Sequence, residues 1–237
     1  MSDDSTRRAI IASLNPEADR GPSDFDTRHQ LNGFVNYDLP ALFSKSVGNK
    51  LSRNWSVDSV ASLRSARPVN VLYLFPTSFG VAYFRPDVVA GESLYIFDPA
   101  VEGGRRINPA SFIVPIGLDQ GDLPRNSLRG FPFYQIDLAL RRQFNLSENV
   151  ALQFRTDVFN IFNHPNFADP VGRDRVLGSV FSGSGAVFSG GPFTPNATFG
   201  RSSSLLGQSL SGTSESFGSF YNTGGPRTLR FSLKLRF

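Results

Sequence analysis

Polar and apolar residues alternate most cleanly at the end of the chain. Between Thr228 and Phe237, Leu229, Phe231, Leu233, Leu235 and Phe237 interleave with Thr228, Arg230, Ser232, Lys234 and Arg236. A period of two marks a strand with one apolar and one polar face. Gly224 to Arg227 (GGPR) supply the turn chemistry before it. The stretch Phe133 to Phe144 repeats the pattern. There Ile136, Leu138, Leu140 and Phe144 share one face, and Gln135, Asp137, Arg141 and Gln143 lie mostly opposite. After a short turn at Asn145 to Asn149, Val150, Leu152, Phe154 and Val158 alternate with Gln153, Arg155 and Asp157. Aromatic residues then crowd Phe159 to Phe162. The two stretches are expected to pair as a hairpin.

Upstream the alternation is looser. Leu31, Val35, Tyr37 and Leu39 keep one phase until Pro40 stops them. Trp55, Val57, Ala61, Leu63, Val69, Val71 and Tyr73 share one parity across Pro68. This predicts one long strand with a bulge near Arg67-Pro68, because proline has no N–H for an interior ladder; two strands joined there are the alternative. Strands are thus expected near 29–39, 55–73, 133–144, 150–162 and 227–237, with residues 1–25 a disordered or loop remnant. The intervening loops, 76–132 and 163–226, far exceed the usual length of about 12–15 residues. The second contains the low-complexity run SVFSGSGAVFSGG. No repeat of solenoid or propeller period is present.

Composition supports an all-β chain. Of 237 residues 23 are Phe, 22 Gly and 16 Pro, and charged residues are only 19%, against about 25% in ordinary soluble domains. With no cysteine, a disulfide framework, a thiolate metal site and a cysteine nucleophile are all excluded. A net charge of +4, scattered along the chain, leaves no nucleic-acid footprint. Residues 1–20 carry no apolar core of the secretory kind. The longest apolar run, Phe112 to Leu118, is interrupted by Pro115 and Gly117. A membrane-spanning helix is excluded. A membrane β-barrel is not, since its strands are short and half apolar.

Loop lengths favour the barrel. From the C-terminus they run long (163–226), short (145–149), long (76–132) and moderate (40–54), so both long loops fall at one end of up-and-down strands. Outer-membrane barrels have short periplasmic turns and longer extracellular loops. Register agrees. With the five apolar residues of the last strand facing lipid, Arg230, Lys234 and Arg236 face the lumen. A one-residue slip turns all three outward, at about 2–4 kcal/mol each near mid-bilayer.

Several stretches carry a family resemblance: Asp26 to His29 leading to Tyr37 to Pro40; Trp55 to Pro68; Arg85-Pro86-Asp87; Ile107 to Phe112; Pro124 to Gly130 (PRNSLRG); Phe154 to Phe167 (FRTDVFNIFNHPNF); and Gly225-Pro226-Arg227 with the closing strand. In this order, over roughly residues 20 to 237, the chain resembles the C-terminal part of TonB-dependent outer-membrane receptors of the Oar-like group. The resemblance implies antiparallel up-and-down strands from the end of a barrel, here incomplete. It also implies an assembly signal in the last strand, carried by Phe231, Leu233, Leu235 and Phe237 and read by the barrel-assembly machinery. The implied partners are outer-membrane lipid and, through an N-terminal plug absent from this chain, the TonB complex. The implied location is the cell outer membrane, and the implied role is active uptake of a ligand whose nature the residues leave open. About five strands are too few to close a barrel, so the chain is expected not to insert or transport alone.

Candidate chemistry is sparse. No G-x-S-x-G, Walker or H-E-x-x-H motif occurs. Gly183 and Gly185 begin a G-x-G, but Phe188 occupies the third glycine position. His164 reads as strand-end structure, and His29 has no partner at a telling spacing. The pairs Asp119/Asp122 and Asp169/Asp174 lack the EF-hand pattern. No enzyme activity and no cofactor are expected. Asp137, Arg141, Arg155 and Asp157 form a candidate lumen-facing polar set, or simply cross-strand charge pairs on a wet face. Phe154, Phe159, Phe162 and Phe167 suit either a soluble core or an interfacial girdle. A soluble or surface-exposed β-sandwich binding through the two long loops is the competing reading. It requires a second sheet that the alternation does not reveal.

Overall fold

The computed structural model describes residues 16–41, 52–77, 80–116, 120–170, 175–179, 189–192, 199–202, 204–207 and 223–237. In chain order its strands are β1 (Gln30–Asp38), β2 (Trp55–Arg64), β3 (Pro68–Thr77), β4 (Gly80–Phe84), β5 (Asp87–Val88), β6 (Tyr95–Phe97) and β7 (Arg105–Ile107). They continue with β8 (Phe112–Ile116), β9 (Leu128–Arg129), β10 (Phe133–Asn145), β11 (Ala151–Phe159), β12 (Arg175–Ser179), β13 (Ser189–Pro192) and β14 (Thr228–Arg236). The chain is all-β, and among the described residues its sheets do not close into a barrel. No helix among the described residues is long and apolar enough to cross a membrane.

The strongly alternating segments make one antiparallel sheet of five strands, ordered β1-β2-β10-β11-β14. Opposed residues in an antiparallel ladder share a face, so the register sorts the side chains. One cross-strand row contains Val57, Leu140, Thr156 and Phe231; the next contains Trp55, Arg142, Phe154 and Leu233. The adjoining positions place Asp58, Ala139, Asp157 and Arg230 together on the other face. The exposure of the two faces is the reverse of a water-soluble sheet. Phe231 is 68% exposed, whereas Asp157 on the opposite face is 8% exposed. Leu31, Val35, Tyr37, Leu229, Leu233 and Leu235 are likewise exposed.

The long strand expected over 55–73 is instead two strands in different sheets. β2 ends at Arg64, and β3 begins at Pro68, pairing with β4, β9 and, in parallel, β12. At the break, Ser65 N–H donates to the His29 carbonyl and Gly130 N–H to the Arg67 carbonyl, both at 2.9 Å. Pro68, without an N–H, starts the new strand where no ladder donor is needed. The shared parity across the break was therefore no sign of one sheet. The last part of the strand expected over 150–162 also leaves the ladder, because β11 ends at Phe159 and Asn160 turns the chain with φ 50°.

The residues expected to be a bare loop, 76–132, hold β4 to β9 and most of a second body, here called the cap. Its core is Val69, Val71, Tyr73, Phe84, Ile107, Phe112, Val114, Leu123, Leu128 and Phe199, all buried. Tyr73 stacks on Phe84 at 5.6 Å, and Phe112 meets Phe199 edge-on at 6.2 Å. These are favourable aromatic geometries. The connections β2 to β10 and β11 to β14 both leave the sheet at the Arg64/Phe133 end, so the cap sits there. The β1–β2 and β10–β11 connections lie at the opposite, short-turn end.

The PRNSLRG stretch is the socket that holds the segment before β1 against the cap. Asn126 is buried with φ 54°. Its side-chain amide donates to Asp24 Oδ1 at 2.6 Å and to the Pro22 carbonyl at 2.8 Å, and its N–H donates to Asn70 Oδ1 at 2.7 Å. Arg129 pairs with Asp26 at 2.7 Å. Arg85, buried, pairs with Asp19 at 2.8 Å. Gly130 has a steric reason. A Cβ there would collide with Asp169 Oδ1, the oxygen that accepts the Phe131 N–H at 3.3 Å. Residues 1–15, most of the low-complexity run (180–188), Asp119 and Asp174 lie outside the described residues.

Candidate lumen face and membrane face

The polar face of the five-stranded sheet forms a groove of about 730 Å³. Its hub is Asp58 on β2, which opposes Asn36 of β1 and Ala139 of β10. Asp58 accepts a hydrogen bond from the Asn36 amide. Its carboxylate lies 3.3 Å from Arg155 and 3.7 Å from Arg141. Arg155 Nε also donates to Asp157 at 2.7 Å, and Arg141 reaches Asp38 at 3.8 Å. The structure thus brings Arg141, Arg155 and Asp157 into one alternating-charge chain through Asp58. Asp137 stands apart, accepting from Gln135 Nε2 at 2.7 Å and Asn160 N–H at 2.8 Å. Arg230 lies against the ring of Phe159 at 5.2 Å.

The apolar parity of β2 leaves Asp58 unmarked in the sequence. Its opposite parity to Val57 was the available signal. Because Arg155 touches Asp58 and Asp157 together, the two carboxylates act as one unit. Asp58→Asn and Asp157→Asn are expected to be non-additive, with a coupling of about 1 kcal/mol, modest because Arg155 is 41% exposed. A double-mutant cycle on urea unfolding in detergent measures it. Strict additivity would mean that the pairing is solvated away.

A second polar cluster lies where β11 leaves the sheet, within FRTDVFNIFNHPNF. Asn160 Nδ2 donates to the carbonyls of His164 (2.8 Å) and Gly225 (2.9 Å), and its Oδ1 accepts the His164 N–H at 3.0 Å. Asn163 Oδ1 accepts the Arg227 N–H at 3.1 Å, and Asn166 Oδ1 accepts the Tyr134 N–H at 3.0 Å. Gln135 Oε1 accepts the Gly224 N–H at 2.8 Å. These asparagines tie the end of β11 to β10 and to the entrance of β14. The alternation had marked only the neighbouring aromatics. The His164 ring packs on Tyr134 with centroids 3.9 Å apart. His29 contributes backbone groups to the Ser65 contact.

Loop carboxylates have structural partners. Asp122 accepts the Val88 N–H at 2.7 Å, and Asp87 accepts the Asp122 N–H at 2.9 Å. Among the described residues no group of three or more His, Cys, Asp or Glu is placed to hold a metal ion. On the apolar face, Phe231 stacks with Phe154 at 6.4 Å. Leu233 and Leu235 oppose Phe154 and Leu152 across β11. Phe237 follows β14 at the short-turn end and is almost wholly exposed.

A sheet with charge pairs on its sheltered face and exposed leucines and phenylalanines on the other is built for a solvent other than water. Comparison with known families agrees: one described as an outer membrane beta barrel domain matches residues 2–230, nearly the whole chain. The chain belongs to that family. No curated protein and no solved structure matches it. In an outer-membrane barrel protein, the exposed apolar rows are the face suited to lipid, and the Asp58 network lies on the opposite face. Backbone hydrogen bonds within the sheet satisfy the polar groups that lipid cannot.

Proposed function

We propose that this chain supplies wall strands, extracellular loops and the assembly signal of a TonB-dependent outer-membrane receptor of the Oar-like type, which takes up a ligand actively. One observation carries the reading. Both long connections gather at one end of an outward-apolar, inward-charged sheet, where a folded cap can meet ligand, while the other end carries the shorter connections, residues 39–54 and 146–150. The stretches that resemble this receptor group, PRNSLRG and FRTDVFNIFNHPNF, here fasten the segment before β1 to the cap and the end of β11 to the entrance of β14. The chain provides no catalytic chemistry. Coupling to TonB comes through a plug elsewhere in the intact receptor, and Phe231, Leu233, Leu235 and Phe237 address the assembly machinery.

Strand direction adds that other strands complete the wall. Among the described residues β1 pairs only with β2, and β14 only with β11. Both edge strands run from the cap end to the short-turn end. Joining them directly would make a parallel seam. An antiparallel ring therefore needs an odd number of further strands, consistent with the even strand totals of outer-membrane barrels. The β-sandwich reading lacks support, because no second sheet covers the apolar rows among the described residues.

The test is solute depletion from a defined medium by cells expressing the intact receptor, with and without TonB. One class of solute should disappear only when both are present. Depletion that ignores TonB, from a protein that still fractionates with the outer membrane, would leave a barrel but remove the TonB-dependent role.

A further inference from the structure

Two arginines at the break between β2 and β3 lack the partners that other arginines of the chain have. Arg64 ends β2, opposite Gln30 of β1 and Phe133 of β10. It shares the parity of Asp58, so it stands on the polar face, at the cap end. Arg67 follows at the break itself, where its carbonyl accepts the Gly130 N–H at 2.9 Å. Both are half-buried, and the Nε of each is shut off from solvent without a hydrogen-bond partner. Neither guanidinium has an ion pair among the described residues. By contrast Arg85, Arg125, Arg129, Arg141 and Arg155 each meet a carboxylate.

The groups around them are already engaged. Arg105 donates to the Gly130 carbonyl and lies 4.8 Å and 5.3 Å from the Tyr95 and Phe131 rings. Asp169 accepts the Phe131 N–H at 3.3 Å and acts on Arg64 from beyond ion-pair distance, while Arg67 acts on Arg64 as a like charge. The Arg64 guanidinium lies 5.5 Å from the Phe133 ring, a contact that leaves its charge in place. Half-burying two cations that repel each other costs stability unless an anion joins them. A phosphomonoester carries about −1.5 to −2 charge at neutral pH, which matches two guanidiniums, and its oxygens can serve both planar forks. We infer that Arg64 and Arg67 form a binding site for the phosphate group of a phosphomonoester solute, at the junction of wall and cap. This rests on the receptor reading and names the chemical class of its ligand. A solute rather than a membrane lipid reaches the site, because Arg64 lies on the face opposite the apolar rows.

The experiment uses the intact protein purified from outer membranes in dodecyl maltoside, a detergent without phosphate. Inorganic phosphate and glycerol phosphate are titrated by calorimetry, with glycerol as the uncharged control. The wild type is expected to bind both phosphates and not glycerol. Arg64→Gln and Arg67→Gln should each weaken binding by roughly tenfold, the loss of one charge-assisted contact. Arg64→Lys, which keeps the charge without the fork, should lose less than Arg64→Gln. Arg236→Gln, on the polar face at the far end of β14, should bind as the wild type does. Equal affinity in the two glutamine variants, or no phosphate binding by a wild type that fractionates with the outer membrane, would overturn the site and leave the uptake reading standing. Binding to phosphatidic acid vesicles without binding of glycerol phosphate would overturn the solute assignment. Phosphate bound through Arg64 and Arg67, in a receptor whose uptake ignores TonB, would keep the site and remove the TonB-dependent role.

Discussion

Replacing Asn160 by alanine is expected to destabilise the protein by about 3 kcal/mol, a large effect for one neutral side chain. Asn160 is buried, so the His164 N–H and the carbonyls of His164 and Gly225 that it serves lose partners in a place where water enters poorly. Each unsatisfied buried group costs about 1–3 kcal/mol. The backbone adds to this, since φ of 50° suits asparagine better than alanine. Asn160→Gly separates the contributions. It relieves the backbone but restores no hydrogen bond, so it should recover only a minor part of the loss. Equilibrium unfolding of the detergent-solubilised protein, followed by circular dichroism, measures both. A shift below about 1 kcal/mol for Asn160→Ala would mean that solvent replaces the side chain and that the turn does not hold β14 to the wall.

The second large effect is expected at Leu138, midway along the apolar face of β10 between Tyr134 and Phe144. Leu138→Arg should cost about 2–4 kcal/mol in a bilayer, while Asn32→Arg, on the polar face of β1, should change stability by no more than roughly 0.5 kcal/mol. Folding into vesicles under a urea titration compares the pair. If the apolar rows met water, the two substitutions would be nearly equivalent. Equal midpoints would therefore remove the membrane orientation altogether, independently of any ligand or transport assay.

The two predictions differ in how far the sequence revealed them. Leu138 belongs to an alternation visible without any structure, and the charge pattern of β14 is enough to say which face is polar. Asn160 is one of several asparagines in an aromatic-rich strand end. Nothing local marks it as the residue that reaches Gly225, because that partner is brought near only when β14 pairs with β11. The same limit hid Asp58. Its parity was readable, but its two arginines come from β10 and β11, far along the chain.

By itself the sequence determined the all-β class, the hairpin of β10 and β11, the closing strand, and the shared polar face of Arg141, Arg155, Asp157 and Arg230. Period-two alternation is a local property, and a one-residue slip would expose every charge to lipid. Only the tertiary structure decided that the run from Trp55 to Tyr73 splits into wall and cap, since a shared parity carries across a break between sheets. It alone turned the supposed loop 76–132 into a folded body. The buried Val71, Phe84, Phe112 and Phe199 of that body are distant in sequence and keep no period. Only the assembled sheet placed Arg142 beside Trp55, because cross-strand neighbours are set by register, and register is a property of the whole ladder.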